Sequence, residues 1–365
     1  MVETRDAAIT LESATQIVSA NSSFWRSKNV LVTGGASFIG SHLADSLTAL
    51  GSRVTVVDNL SSGTLENLAQ TFSRIRFFNL DLEYASLENL LSLFKGHEIV
   101  FHLAATHGGR GYIQSHPAEV SSNFAIDHHV YEASVRSNVE KVVFASSACV
   151  YPPKLQNRVG SDYLLKEEDA SLAHLDQPLS ADLEYGWAKL MGEMQLNAFI
   201  EQFGIKGCSV RFVTAYGPRE NETHAIVALI YKAFEQMNPF VIWGDGNQER
   251  DFTYVSDLVS GAIAAAEKID DGSPINLGTG RRTSLMEIAQ MIFDIMRFHP
   301  QVKFDLNSPV GVLSRALDTS RARTILGWEP NVTLEEGLMR TINWYVESHR
   351  PNGGVVEKML YERTR

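Results

Sequence analysis

Eight residues near the start of the chain, Thr33-Gly34-Gly35-Ala36-Ser37-Phe38-Ile39-Gly40, constrain the fold more than any other stretch. They join an apolar run, Asn29 to Thr33, to a helical pattern over Phe38 to Leu50, and a second apolar run follows, Arg53 to Asp58. Strand, glycine turn, helix and strand in that order make a βαβ unit with two parallel strands. Such a turn aims backbone N–H groups and a helix N-terminus at one point, where a pyrophosphate can sit. The dinucleotide pattern has glycine at position 37, where this chain has serine. Asp58, at the end of the second run, can accept hydrogen bonds from ribose hydroxyls and would repel a 2′-phosphate, which favours NAD over NADP. Asn59 lies beside it. Asp81 and Leu82 follow the third apolar run, where Asp81 can meet an adenine or cap a helix.

The strand-and-helix rhythm repeats. Ile75 to Asn79, Ile99 to Leu103 and Val142 to Ser146 read as buried strands, with helical patterns at Leu87 to Phe94 and Asn123 to Arg136 between them. Alternation of this kind predicts an α/β fold: a Rossmann-type, doubly wound parallel sheet with helices on both faces. A helix around Tyr185 to Phe203 leads to a further strand, Gly207 to Phe212. Beyond Tyr216-Gly217-Pro218 the pattern loosens, with a helix at Ala225 to Met237 and short strands near Phe240 to Trp243 and Pro274 to Leu277. We therefore expect an N-terminal extension (1–28), a dinucleotide-binding domain (29–213), a smaller C-terminal α/β substrate lobe (214–349) and a tail (350–365). The chain is expected to cross back between the lobes, since Ile275 to Leu277 suits either.

Composition narrows the partners. The 365 residues are 44% hydrophobic and carry a formal charge of −11, so the chain can bury a core and is a poor match for nucleic acid or anionic membranes. Two cysteines, Cys149 and Cys208, form no spaced framework, and the first residues lack the apolar core of a secretory signal. A cytoplasmic protein is expected. His128 and His129 are adjacent and would face different ways on a helix, so no metal site is expected.

Tyr185 and Lys189 are four residues apart in a helical pattern, which puts both on one face. Ser147, in Ser146-Ser147-Ala148-Cys149-Val150-Tyr151, follows an apolar strand and stands at the edge where open α/β sheets bind ligands. TGGASFIG, Asp58, His102-Leu103-Ala104-Ala105, SSACVYP, YGWAK and RFVTAYGPR, taken in order and spacing, resemble the extended short-chain dehydrogenase/reductases, the NAD-dependent epimerase/dehydratase family. The resemblance spans roughly Asn29 to Trp344. It implies a Rossmann lobe holding NAD, a sugar nucleotide as substrate, and Tyr185 as the base that takes a hydroxyl proton while hydride leaves the same sugar carbon, usually C4. Lys189 and Ser147 would favour the phenolate. Leu103, Ala104 and Ala105 would wall the cofactor.

A 4-keto sugar has acidic protons on its neighbouring carbons, so the outcome depends on further acid/base residues. Where family dehydratases carry an Asp-Glu pair this chain has Ala148-Cys149, which disfavours dehydration. HLAATHGGRGYIQSHP together with SSACVYP is similar to the GDP-mannose 3,5-epimerases, whose corresponding cysteine exchanges protons beside the ketone. Those enzymes oppose it with a lysine; here His224 aligns, in a shorter loop, and histidine can shuttle protons near neutral pH. By resemblance Gly108, Gly109 and Arg110 lie over the sugar, while Arg250 and Arg315 match arginines that grip the diphosphate with planar guanidinium forks. The expected function is an NAD-dependent epimerase that works through a transient 4-keto sugar on a GDP- or UDP-sugar. A simple 4-epimerase, a dehydratase or reductase, and a non-catalytic NAD sensor are the alternatives. Relatives imply a homodimer through the two long helices.

Overall fold

The computed structural model describes residues 22–171 and 180–349; the extension as far as residue 21 and the tail after His349 lie outside the described residues. Seven parallel strands form the main sheet: β1 (Asn29–Thr33), β2 (Arg53–Asp58), β3 (Arg76–Asn79), β4 (Ile99–His102), β5 (Lys141–Ser147), β6 (Lys206–Phe212) and β7 (Asp271–Leu277). Their order is β7-β6-β5-β4-β1-β2-β3. β1 pairs with both β2 and β4, so the order reverses there and a crevice opens at the strands' C-terminal ends. Register brings Thr33 level with Val57 and His102, and Ser147 level with Phe212. Residues that close their strands therefore share one edge of the sheet.

Alternation along each strand explains the two helical layers. Val30, Val32 and Val56 point to one face and pack with α1 (Phe38–Ala49) and a later helix, Val255–Lys268. Leu31, Val57, Val100, Val142 and Phe144 point to the other. There they meet α2 (Leu87–Phe94), α3 (Asn123–Arg136) and α4 (Leu183–Phe203).

β7 comes late in the chain yet pairs with β6 and completes the main sheet. Outside that sheet lie α5 (Ala225–Phe234) and short strand pairs, Phe240–Trp243 with Val302–Asp305 and Glu249–Arg250 between Thr283–Ser284 and Ser314–Arg315. The core also begins ahead of β1. Trp25, in a one-turn helix, is fully buried, its ring 5.9 Å from that of Phe101 and its indole N–H donating to Glu267 at 2.6 Å.

Candidate active site

At the switch point the turn after β1 is shaped by steric demand. Gly34 has φ +67°, and a Cβ there would lie 2.7 Å from Ala104 N; one at Gly40 would lie 2.2 Å from Gly34 O. Ser37 has φ −81°, a conformation open to any residue, which is why serine can replace glycine. Its hydroxyl donates to Gly34 O at 2.5 Å. Asp58 is buried and accepts the N–H groups of Ala36 (2.9 Å) and Leu60 (2.8 Å), so it ties the turn to β2. Burial pushes its carboxyl above the ordinary range, against those two donors. Asn59 donates to Asp81 at 2.9 Å, and Asp81 also accepts the N–H of Glu83 at 2.9 Å, organising the turn after β3.

Gly34, Ser37, Asp58, Asn59, Asp81, Leu82, Leu103, Ala104 and Ala105 line one cavity of about 700 Å³. Phe38 and Ile39 line an adjoining cavity of about 290 Å³, which shares Ser37, Leu103, Ala105, His107, Gly108 and Asn221 with the first. The glycine cradle at a helix start, with Asp58 behind it, fits a dinucleotide whose adenosine ribose carries no phosphate.

The smaller cavity collects all five expected catalytic residues, Ser147, Cys149, Tyr185, Lys189 and His224. Tyr185 and Lys189 sit one turn apart on α4, and Lys189 is 2% exposed, with Nζ 4.8 Å from the Phe144 ring centre and 5.8 Å from that of Tyr185. Burial drives the Tyr185 phenol well above its ordinary value, Cys149 and Asp127 add to that, and a hydrogen bond from Ser147 opposes it. Lys189 is driven down by burial, with Asp127 opposing. A base at Tyr185 thus needs positive charge brought beside it. Cys149 lies in a single turn after β5, its N–H donating to Ser147 Oγ at 3.2 Å.

His224 starts α5, with Nδ1 3.4 Å from Glu220 Oε1 and its ring stacked on His107 at 6.1 Å. Burial lowers His224, with a Gly108 carbonyl opposing, and takes His107 down to about 4. His107 and Glu220 both line the cavity and were not singled out for chemistry by sequence reasoning.

Arg315, in the short strand Ser314–Arg315, reaches the cysteine turn. Its guanidinium donates to Cys149 Sγ at 3.3 Å, to Asp182 at 2.9 Å and to Gln156 at 2.5 Å. Asp182 also accepts from Arg110 at 2.7 Å. Arg250 donates to the carbonyls of Glu249 and Val310 at 2.8 Å each, and its charge is opposed by burial and by Arg315 and Arg110. Three guanidinium groups therefore gather near one carboxylate, Asp182, a residue whose position just before α4 reads in sequence as a plain helix cap. Gly108 lines the site, and Gly109 precedes the short helix Arg110–Ser115 beside it. His128 packs against Phe199 while His129 donates to Leu82 O at 3.0 Å, so the two diverge.

Fold and site together define an NAD-dependent enzyme with a Tyr–Lys–Ser constellation. A model of the NAD dependent epimerase/dehydratase family matches residues 30–278, and the chain belongs to that family. It is 33% identical to UDP-glucose 4-epimerase of Mycolicibacterium smegmatis over 325 residues, 86% of this chain and 97% of that protein. It is equally 33% identical to GDP-mannose 3,5-epimerase of Arabidopsis thaliana over 331 residues, 89% of this chain and 84% of the relative. The crystal structure of UDP-glucose 4-epimerase from Thermotoga maritima with UDP-glucose superposes with a TM-score of 0.79 at 31% identity. That match covers 88% of this chain and all (100%) of the other.

Proposed function

We propose that this enzyme inverts one or both carbons next to C4 of a GDP- or UDP-hexose by way of a transient 4-keto sugar, with Cys149 and His224 as the acid/base pair. The observation that carries the reading is the meeting of Cys149 and His224, from separate elements, in the cavity that also holds Tyr185, Lys189 and Ser147. Bound NAD would accept the hydride from C4 and return it at the close of the cycle. Tyr185 accepts the C4 hydroxyl proton, with Ser147 hydrogen-bonded at the phenol and Lys189 providing positive charge. One of Cys149 and His224 then removes a proton from the carbon beside the ketone, giving an enolate. The other returns a proton to the opposite face, and Tyr185 gives its proton back to the C4 oxygen, which leaves the cycle redox-neutral.

Arg315 offers a donor and a positive charge to the Cys149 sulfur when it carries negative charge. Arg110, Arg250 and Arg315 against the single Asp182 leave an excess of cation suited to a diphosphate. The exposed aromatic residues Phe124, Trp187 and Phe203 on α3 and α4 support pairing of two copies through those helices, which light scattering checks. The 4-epimerase reading draws on relatives of that activity and requires only Tyr185, Lys189 and Ser147.

The deciding experiment incubates the enzyme with GDP-, UDP-, dTDP- and CDP-hexoses in deuterated water and reads the recovered sugars by NMR. Deuterium at C3 or C5, abolished in Cys149→Ser, is the expected result. Inversion at C4 with no deuterium incorporated would overturn it in favour of the 4-epimerase.

A further inference from the structure

Beneath the catalytic pair runs a buried polar chain that the proposed reaction leaves unused. His102 on β4, Asp127 on α3 and Thr33 on β1 are all fully buried. His102 Nε2 lies 2.9 Å from Asp127 Oδ1, and Nδ1 lies 2.8 Å from Thr33 Oγ1. Thr33 Oγ1 already accepts the N–H groups of Leu103 (3.2 Å) and Ala104 (3.1 Å). With both lone pairs engaged, the hydroxyl has only its proton left for His102. Nδ1 is then the acceptor, Nε2 carries the ring proton, and a neutral imidazole donates it to Asp127. Asp127 Oδ1 is the acceptor, and the other oxygen, Oδ2, is buried without a hydrogen-bond partner among the described residues. Such a group is strongly unfavourable unless an opposite charge stands near it.

Lys189 is that charge. A Cβ at Gly192 of α4 would lie 2.5 Å from Asp127 Oδ2 and 2.4 Å from Phe144 Cζ, so the glycine makes room for the carboxylate against the Phe144 ring. Lys189 Nζ sits 4.8 Å from the centre of that same ring. Asp127 faces His102 on β4, Lys189 and Tyr185 on α4, and Tyr131 on its own helix; Lys189 also faces His102 and His107.

We propose that Asp127 is a positioning residue for the hydride-transfer step: a buried counter-charge, held by His102 and Thr33, that keeps Lys189 an ammonium beside Tyr185. Thr33 also holds the N–H groups of Leu103 and Ala104, which wall the dinucleotide cavity, so the counter-charge and the crevice share one support. The inference concerns the oxidation common to the whole family and stands whichever sugar carbon is inverted.

The test needs no sugar substrate. In NAD-bound Tyr185→Phe protein labelled with carbon-13 at lysine Cε, the Lys189 resonance, assigned by its loss on Lys189→Arg, reports the ammonium's titration midpoint. Adding Asp127→Asn lowers that midpoint by about one pH unit or more. Adding His102→Gln instead retains the carboxylate and leaves the midpoint within a few tenths of its starting value. An unmoved midpoint in folded, NAD-binding Asp127→Asn protein overturns the proposal, and so does an equal drop in His102→Gln. Should Asp127→Asn fail to fold, Asp127→Ser removes the charge, takes less room and answers the same question.

Discussion

Arg315 shows how one side chain can tie three separate groups together. Its planar fork spans Gln156, Asp182 and the Cys149 sulfur at once, a geometry that an ammonium on a flexible stem cannot copy. Arg315→Lys is therefore expected to slow deuterium wash-in about 10- to 100-fold, the equivalent of losing one charge-assisted hydrogen bond of roughly 1.5–3 kcal/mol. NAD affinity, read by fluorescence quenching, is expected to stay unchanged, because the dinucleotide cavity does not include Arg315. His224→Asn addresses the other member of the pair. If Cys149 and His224 serve opposite faces, the variant retains hydride transfer at C4, followed as transient NADH absorbance, and loses inversion. Burial holds His224 below the ordinary imidazole value of 6.5, so its base form persists as pH falls through that value. The acid limb of wash-in that His224 governs is accordingly expected below pH 6.5.

Among the elements, α4 carries the greatest functional constraint. A Cβ at Gly186 would sit 2.2 Å from the Cys149 carbonyl, so the helix can approach the cysteine turn only with glycine at that point. Gly186→Ala is expected to cost about 1–3 kcal/mol of stability by overpacking and to lower turnover more than NAD binding, as melting curves and initial rates would show. The Tyr185–Lys189 pair on this helix was legible in the sequence because an i,i+4 spacing fixes a face. So were β1, α1, β2 and β5, whose apolar runs are bounded by glycine or polar residues. The helix Val255–Lys268 was not: Gly261, Ala262, Ala264, Ala265 and Ala266 give little hydrophobic contrast, and their small size is what lets them pack beneath the sheet. Asp127 and Asp182 escaped notice because an acid within or just before a helix reads as a solvated charge or a cap. Their partners, His102, Arg110 and Arg315, come from distant strands and a short helix, and no local pattern announces them.

For the molecule as a whole, stability rests on tying distant segments into one core. Trp25 joins the chain ahead of β1 to Phe101 in the sheet and to Glu267 on the helix Val255–Lys268, and Trp25→Ala should cost about 3–5 kcal/mol in urea unfolding. The same burial makes the fold sensitive to acid. Desolvation holds His97 and His102 below their ordinary value and takes His42 to about 3 and His107 to about 4. Since each folded-state value lies below the unfolded 6.5, their stabilising contribution is complete above pH 6.5. It drains as pH falls toward 4 and 3, because the unfolded chain takes up protons that the folded chain refuses. Asp257, raised by burial to about 6, has the opposite sign: its contribution is present below 3.8 and lost as pH rises through 6, so it offsets part of the loss. His97 isolates the effect, since its ring is buried between Thr55 Oγ1 at 2.9 Å and Phe94 O at 3.2 Å, away from the catalytic cavity. His97→Gln keeps a polar group there that cannot take a proton. It should lower stability at every pH yet flatten the acid slope by at most about 1.4 kcal/mol per pH unit. Urea unfolding above and below pH 6.5 reads both, and an unchanged slope would assign the acid sensitivity to the other three imidazoles.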